Sequence, residues 1–296
     1  MNIIGHDRQR AFLRKIVSEG LPHHAFLISG PEGIGKTSVA LEFAALLLGM
    51  SEGDPSGKQD FLLIRPEISK EGKKTRIQVA DVREAGTFLS RFPAESTRRV
   101  LMIDDADTMN ESAQNAILKQ LEEPNGSSVL ILVTSRPGAL RETIRSRAFR
   151  VPLSLISEPI IRSGAEAIFG KEALAGVEPF FFALGRPGIV FGALSDPTRF
   201  AVRRELLRSL FKLSSLSMTE RFALSERLSG SVPEAVRLLE WWVSGLRFMR
   251  RDEQDAKRLS SSFRFLEEVE EAARTLRETN ANARLVLDRL FLVALP

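Results

Sequence analysis

Gly30-Pro31-Glu32-Gly33-Ile34-Gly35-Lys36-Thr37 fits the pattern G-x-x-x-x-G-K-[ST], a phosphate-carrying loop when it follows a strand and opens a helix. The flanking residues supply that context. Ahead of it Ala25 to Ser29 is a short apolar run, and behind it Val39, Leu41, Phe43, Ala44 and Leu47 predict a buried helix over Lys36 to Leu48. Glycines let backbone N–H groups converge on phosphate oxygens, and the helix N-terminus adds favourable partial charge. Lys36 reaches the outer phosphates and Thr37 ligates Mg2+. A glycine turn that merely packs a helix on a sheet accounts for the glycines but not for Lys36-Thr37. The expected cofactor is ATP or ADP with Mg2+, held by Gly30 to Thr37 together with Ser38.

Working outward, Phe12, Leu13, Ile16 and Val17 sit at helical spacing between His6 and Ser18, and Gly49 to Asp60 reads as a surface loop. Strands are expected at Phe61 to Ile64, Arg76 to Val79, Val100 to Ile103 and Val129 to Val133, with helical patterns between the later ones. This alternation predicts an α/β domain on a mostly parallel sheet. Val100-Leu101-Met102-Ile103-Asp104-Asp105-Ala106-Asp107 is an apolar strand ending in carboxylates, which resembles a Walker B segment. Asp104 then holds Mg2+, usually through water, because that hard cation prefers oxygen; the plainer alternative is a solvated acidic turn. After about Leu153 the strand signals fade. Ile160 to Phe169, Phe180 to Leu194, Phe200 to Leu213, Thr219 to Leu228 and Val232 to Phe248 suit helices, with turns at Gly185-Arg186-Pro187-Gly188 and Ser195-Asp196-Pro197.

Composition narrows the class. At 296 residues, 43% hydrophobic and 27% charged, the chain is expected to fold into two or three units and stay in water. With no cysteine, disulfides, thiolate catalysis and thiolate zinc sites are excluded. His6, His23 and His24 make no case for a metal. The N-terminus lacks a signal pattern and no apolar stretch spans a bilayer, so a cytoplasmic location without membrane insertion is expected. A net charge of +4 and a pI near 9.6 permit contact with nucleic acid without demonstrating it.

The P-loop, Asp104 to Asp107, and Asn115-Ala116-Ile117-Leu118-Lys119-Gln120-Leu121-Glu122-Glu123-Pro124 together resemble the AAA+ clamp-loader family of bacterial replication. Thr143-Ile144-Arg145-Ser146-Arg147 is similar to that family's Ser-Arg-Cys motif, with Ala148 where the cysteine would be. Asn280-Ala281-Asn282 through Leu285, Leu287, Leu290 and Leu292 resembles the close of delta-prime-type members, and the short chain agrees. The resemblance implies a P-loop nucleotide-binding domain over 1–153, a helical lid over 154–195 and an all-helical collar over 196–296. It implies an ATP-dependent role in loading a sliding clamp on primed DNA, within a hetero-pentameric ring with gamma/tau-like and delta-like subunits. Arg147 matches the arginine finger that acts in trans on a neighbour's ATP site; alone it would read as a surface arginine. Thr134 or Ser135, ending the Val129 to Val133 strand, fits the polar sensor of the terminal phosphate, or equally caps the next turn. Ile3 and Ile4 resemble residues that pack on adenine, or serve as an apolar anchor.

Departures from the family pattern are informative. Many members carry a four-cysteine zinc module after the first helix, where this chain has only Gly49 to Asp60, so no zinc is expected. Asp105 stands where a water-orienting Glu is usual, and an arm one methylene shorter can misplace a water; about 1 Å of misplacement can cost on the order of a hundredfold in rate. The lid's usual sensor arginine matches Ile189, with Arg186 nearby. These changes favour a stator that binds nucleotide and lends Arg147 over a gamma/tau-like motor ATPase, which intact Lys36, Thr37 and Asp104 keep open. Another AAA+ DNA-repair factor is the third reading.

Overall fold

The computed structural model describes residues 2–67, 75–175, 183–198, 201, 204, 205, 208, 212–249 and 256–293. The N-terminal region alternates as the pattern requires: α1 (Asp7–Ser18), β1 (Ala25–Ser29), α2 (Lys36–Leu47), β2 (Phe61–Ile64), α3 (Val79–Ser90), β3 (Arg99–Ile103), α4 (Glu111–Glu122), β4 (Ser128–Thr134), α5 (Glu142–Arg147) and β5 (Phe149–Pro152). The sheet order is β2-β3-β4-β1-β5 and every pairing is parallel. Its central strands β3 and β4 are buried throughout, as a parallel sheet covered on both faces demands.

Alternation along β1 divides the core. Phe26 and Ile28 face a layer with Leu13 and Ile16 of α1 and Val39 and Phe43 of α2. Leu27 faces the other layer, with Val82 and Leu89 of α3, Ile117 of α4 and Ile144 of α5. The position of β1, flanked by β4 and β5, puts the loop after it at the carboxyl edge, where open parallel sheets bind ligands.

One expected strand is absent. Arg76 to Val79 is not a strand: residues 75–78 are irregular and Val79 opens α3. The apparent period of two came from a single buried side chain, Ile77, at 2% exposure. The backbone N–H of Gln78 donates to Asp81 Oδ2 at 2.8 Å, so Asp81 caps a helix start there. Conversely β5 was not expected, because only Val151 of its four residues is buried.

The chain divides into two compact units, one of residues 1–171 and 185–188, the other of 172–184 and 189–296. The first also holds α6 (Glu158–Phe169), and α7 (Pro187–Ser195) begins at its last residues. The second is helical in its described residues, with α8 (Met218–Ser229), α9 (Val232–Met249), α10 (Ala256–Glu278) and α11 (Ala283–Leu292). A reciprocal Ser217–Glu220 capping box starts α8, and Asn282 caps α11. Trp242 is fully buried there, its ring 5.8 Å from that of Phe291 and 6.5 Å from that of Phe265. The helix expected over Phe200 to Leu213 and the start of that expected over Phe180 to Leu194 lie mostly outside the described residues. No helix among the described residues is long and apolar enough to cross a membrane.

Candidate phosphate site

The P-loop runs from the end of β1 into α2, and its glycines have local reasons. Gly35 is the residue before α2 and has φ 100°, in the region that favours glycine. Gly188, at the start of α7, donates its N–H to the Gly33 carbonyl at 2.8 Å. A Cβ at Gly188 would lie 2.7 Å from that carbonyl oxygen, so only glycine permits the approach. His6 fastens the loop from the other side, its Nε2–H donating to the Ile34 carbonyl at 3.0 Å. Burial holds the His6 imidazole below its ordinary pKa, which favours this neutral donor.

Lys36 is buried at 7% exposure, and Nζ donates to the Pro31 carbonyl and to Ser135 Oγ, each at 2.9 Å. Burial lowers its pKa, opposed by the carboxylates of Asp105, Glu32, Asp104 and Asp107. The ammonium is thus held inside the loop by neutral oxygens that a phosphate can replace. Thr37 Oγ1 donates to the Asp104 carboxylate at 3.1 and 3.2 Å. Burial is the main cause that raises the Asp104 pKa, followed by the Asp105 charge. A carboxylate that is costly to ionise, touching a hydroxyl, is a fitting oxygen pair for Mg2+. No group of three or more His, Cys, Asp or Glu that could hold a metal occurs among the described residues, so such an ion would draw its other ligands from phosphate and water.

Asp105 has φ 49°, a conformation uncommon outside glycine but tolerated by Asp, and its carbonyl accepts from the N–H and hydroxyl of Thr108. Asp107 was not singled out by sequence, yet it organises the end of β4. Its Oδ1 accepts from Thr134 Oγ1 at 2.6 Å, and its Oδ2 from Arg136 Nε at 2.8 Å. Thr134 is fully buried with its hydroxyl donated to Asp107; of the two candidates at this strand end it is Ser135 that reaches Lys36.

Arg147 ends α5, and α4 steadies that helix at both ends. The buried side chain of Gln114 accepts from the Arg141 N–H at 2.9 Å and donates to the Ala139 carbonyl at 3.2 Å. At the far end Glu122 pairs with Arg147 at 3.0 Å, where the arginine side chain is 40% exposed. Of the lid candidates, Ile189 is buried at 8% exposure. Arg186 has its pKa lowered by burial and supported by the P-loop's Glu32. Ile4 is buried, and a Cβ at Gly164 of α6 would lie 2.8 Å from its side chain.

Fold and site together define an AAA+ P-loop protein. A family model described as DNA polymerase III, delta subunit, matches residues 5–157, and the chain belongs to that family. Among similar proteins, the DNA polymerase III subunit delta' of Pseudomonas aeruginosa is 31% identical over 194 residues, 58% of each chain. The DNA polymerase III subunit tau of Salmonella typhimurium is 29% identical over 184 residues, 59% of this chain and 28% of that one. The matched part thus spans little more than half of the first relative and under a third of the second. A DNA polymerase III gamma subunit-related protein from Thermotoga maritima shares the fold, with TM-score 0.56 and 22% identity over 96% of this chain and 98% of that one.

Proposed function

We propose that this chain is a delta-prime-type subunit of a bacterial clamp loader, a stator that holds ATP or ADP with Mg2+ weakly and lends Arg147 to the ATP site of a neighbouring subunit. The observation that carries this reading is the disposition of Arg147. It closes a helix whose opposite end is pinned by Gln114, and its guanidinium is held by Glu122 and by the Thr143 carbonyl, in a chain whose relatives include a delta' subunit. An exposed ion pair of this kind contributes only about 0–1 kcal/mol, so a phosphate can take the guanidinium from it. Lys36, Thr37 and Asp104 bind the chain's own nucleotide. Ser135, rather than Thr134, is the polar sensor, and Asp105 is a short, inefficient orienter of water. In this reading residues 1–153 bind nucleotide, 154–195 form the lid and 196–296 the collar. The partners are gamma/tau-like and delta-like subunits, the sliding clamp and primed DNA.

The second reading, a gamma/tau-like motor, is favoured by the assembled Thr37–Asp104 pair and by the tau relative. Steady-state ATP hydrolysis separates the two. It is measured on the purified chain alone and mixed with gamma-type and delta subunits, clamp and primed DNA, each with the unaltered chain or with Arg147→Ala. We expect little turnover alone, and in the mixture a loss of about a hundredfold or more at the site Arg147 serves. Strong turnover by the chain alone makes it a motor.

A further inference from the structure

We infer that Asp107 is a positioning residue that aims the Ser135 hydroxyl at the phosphate site and so sets how well the site tells a nucleoside triphosphate from a diphosphate. This rests on the nucleotide-binding reading above and adds a residue to it. Asp107 lies in the turn Ala106–Thr108 that follows β3, three residues beyond Asp104. Its side chain is only 5% exposed, and buried carboxylates are kept only where hydrogen bonds satisfy them.

That carboxylate accepts hydrogen bonds from three consecutive residues where β4 ends, Thr134 to Arg136. Oδ1 accepts from Thr134 Oγ1 at 2.6 Å and from the Ser135 backbone N–H at 3.3 Å, and Oδ2 accepts from Arg136 Nε at 2.8 Å. Thr134 Oγ1 in turn accepts from the Arg136 N–H at 3.0 Å. One group therefore fixes the backbone on both sides of Ser135. The Ser135 oxygen accepts from Lys36 Nζ at 2.9 Å, which leaves its own O–H to be donated to a further acceptor. The acceptor that Lys36 would bring to that place is the outermost phosphate of a bound nucleotide.

A turn cap would need only the bond to Thr134 or the pair with Arg136. What distinguishes Asp107 is that it joins the turn after β3, where Asp104 stands, to the segment just after β4, where Ser135 stands. It thereby sets the distance between the magnesium-side carboxylate and the hydroxyl facing the outer phosphate. A diphosphate, lacking the outer group, is indifferent to that distance.

The test is equilibrium titration of the full chain with a fluorescent non-hydrolysable ATP analogue and with fluorescent ADP, with thermal melting of each variant alongside. Ser135→Ala and Asp107→Asn are each expected to lower the ratio of triphosphate to diphosphate affinity by about tenfold, the worth of one hydrogen bond to a charged group. The double variant should lose no more than the larger single loss. Thr134→Val removes Asp107's shortest bond without touching the phosphate site, so it serves even where Asp107→Asn folds poorly, and it should shift the ratio the same way. The inference is overturned if Asp107→Asn weakens both nucleotides equally, if its effect adds to that of Ser135→Ala, or if Thr134→Val leaves the ratio unchanged. If the unaltered chain binds neither nucleotide, the nucleotide-binding reading itself fails and this inference falls with it; effects confined to the variants leave that reading standing.

Discussion

Asp104 shows how a single residue carries opposed demands. Burial and the Asp105 charge raise its pKa above the ordinary 3.8, so ionising it costs more in the folded chain than in the unfolded one. That cost is fully present above the raised folded value and is relieved as pH falls through it toward 3.8. Asp104→Asn removes the charge while keeping an oxygen for Thr37. In free chain near neutral pH it is expected to raise the melting temperature by on the order of a few degrees, to lessen the gain on acidification, and to abolish most of the Mg2+ dependence of nucleotide binding. Melting curves from pH 4 to 8 and nucleotide titrations with and without Mg2+ check this; an unchanged or lower melting temperature at neutral pH would show that Asp104 is not under strain. Much of this site was legible, because Lys36, Thr37 and Asp104 lie in short runs whose chemistry depends on local spacing. The choice between Thr134 and Ser135 was not legible, since both are small hydroxyl residues at the end of one strand. In the structure Thr134 is taken up by Asp107, 27 residues away in sequence, while Ser135 meets Lys36, and no local pattern predicts those contacts.

At the scale of elements, β2 is tied to the connection between α3 and β3 by one carboxylate. Asp60 is fully buried and accepts the backbone N–H groups of Ala94, Glu95 and Ser96 at 2.7, 2.7 and 2.8 Å. Arg99 stands 3.6 Å away, its guanidinium 4.7 Å from the centre of the Phe88 ring and its Nε donating to the Phe92 carbonyl at 2.9 Å. The three N–H bonds and Arg99 outweigh desolvation and hold the Asp60 carboxyl below its ordinary 3.8. Its contribution is therefore fully present above 3.8 and is lost as pH falls through the lower folded value. Asp60→Ala leaves three donors unsatisfied beside an arginine that loses its counter-charge and is expected to cost about 3 kcal/mol or more, read as a lower urea midpoint with unchanged slope. A change below about 1 kcal/mol would mean that water replaces the carboxylate without loss. The same region marks where reading elements from sequence fails. Periodicity sees apolar positions but not the partners of backbone groups. Ile77 beside polar neighbours therefore imitates a strand, although Asp81 has already started a helix. At β5, Arg150 and the terminal Pro152 conceal a strand whose register is set by β1. Longer stretches such as Val129 to Val133 were legible because burial on both faces leaves an unbroken apolar run.

For the whole molecule, the informative feature is that each compact unit has a core of its own, with the P-loop in one and both tryptophans in the other. Trp241 and Trp242 are the protein's two tryptophans, and both belong to the second unit, so intrinsic fluorescence reports that unit alone. On the proposed function, a fluorescent nucleotide bound at Lys36 and Thr37 reports the first. Leu287 is fully buried among the residues around Trp242, and Leu287→Ala is expected to destabilise by about 2–5 kcal/mol. If the two cores unfold as separate cooperative units, this variant moves the tryptophan transition to lower urea and leaves nucleotide affinity in the absence of denaturant unchanged. Asp60→Ala should do the reverse, lowering the urea concentration at which nucleotide is released while the tryptophan transition stays in place. Each variant thus has an outcome that the other cannot produce. If both signals shift together in either variant, the cores are coupled into one unfolding event, and loosening the second unit would then weaken nucleotide binding by lowering the folded fraction as a whole.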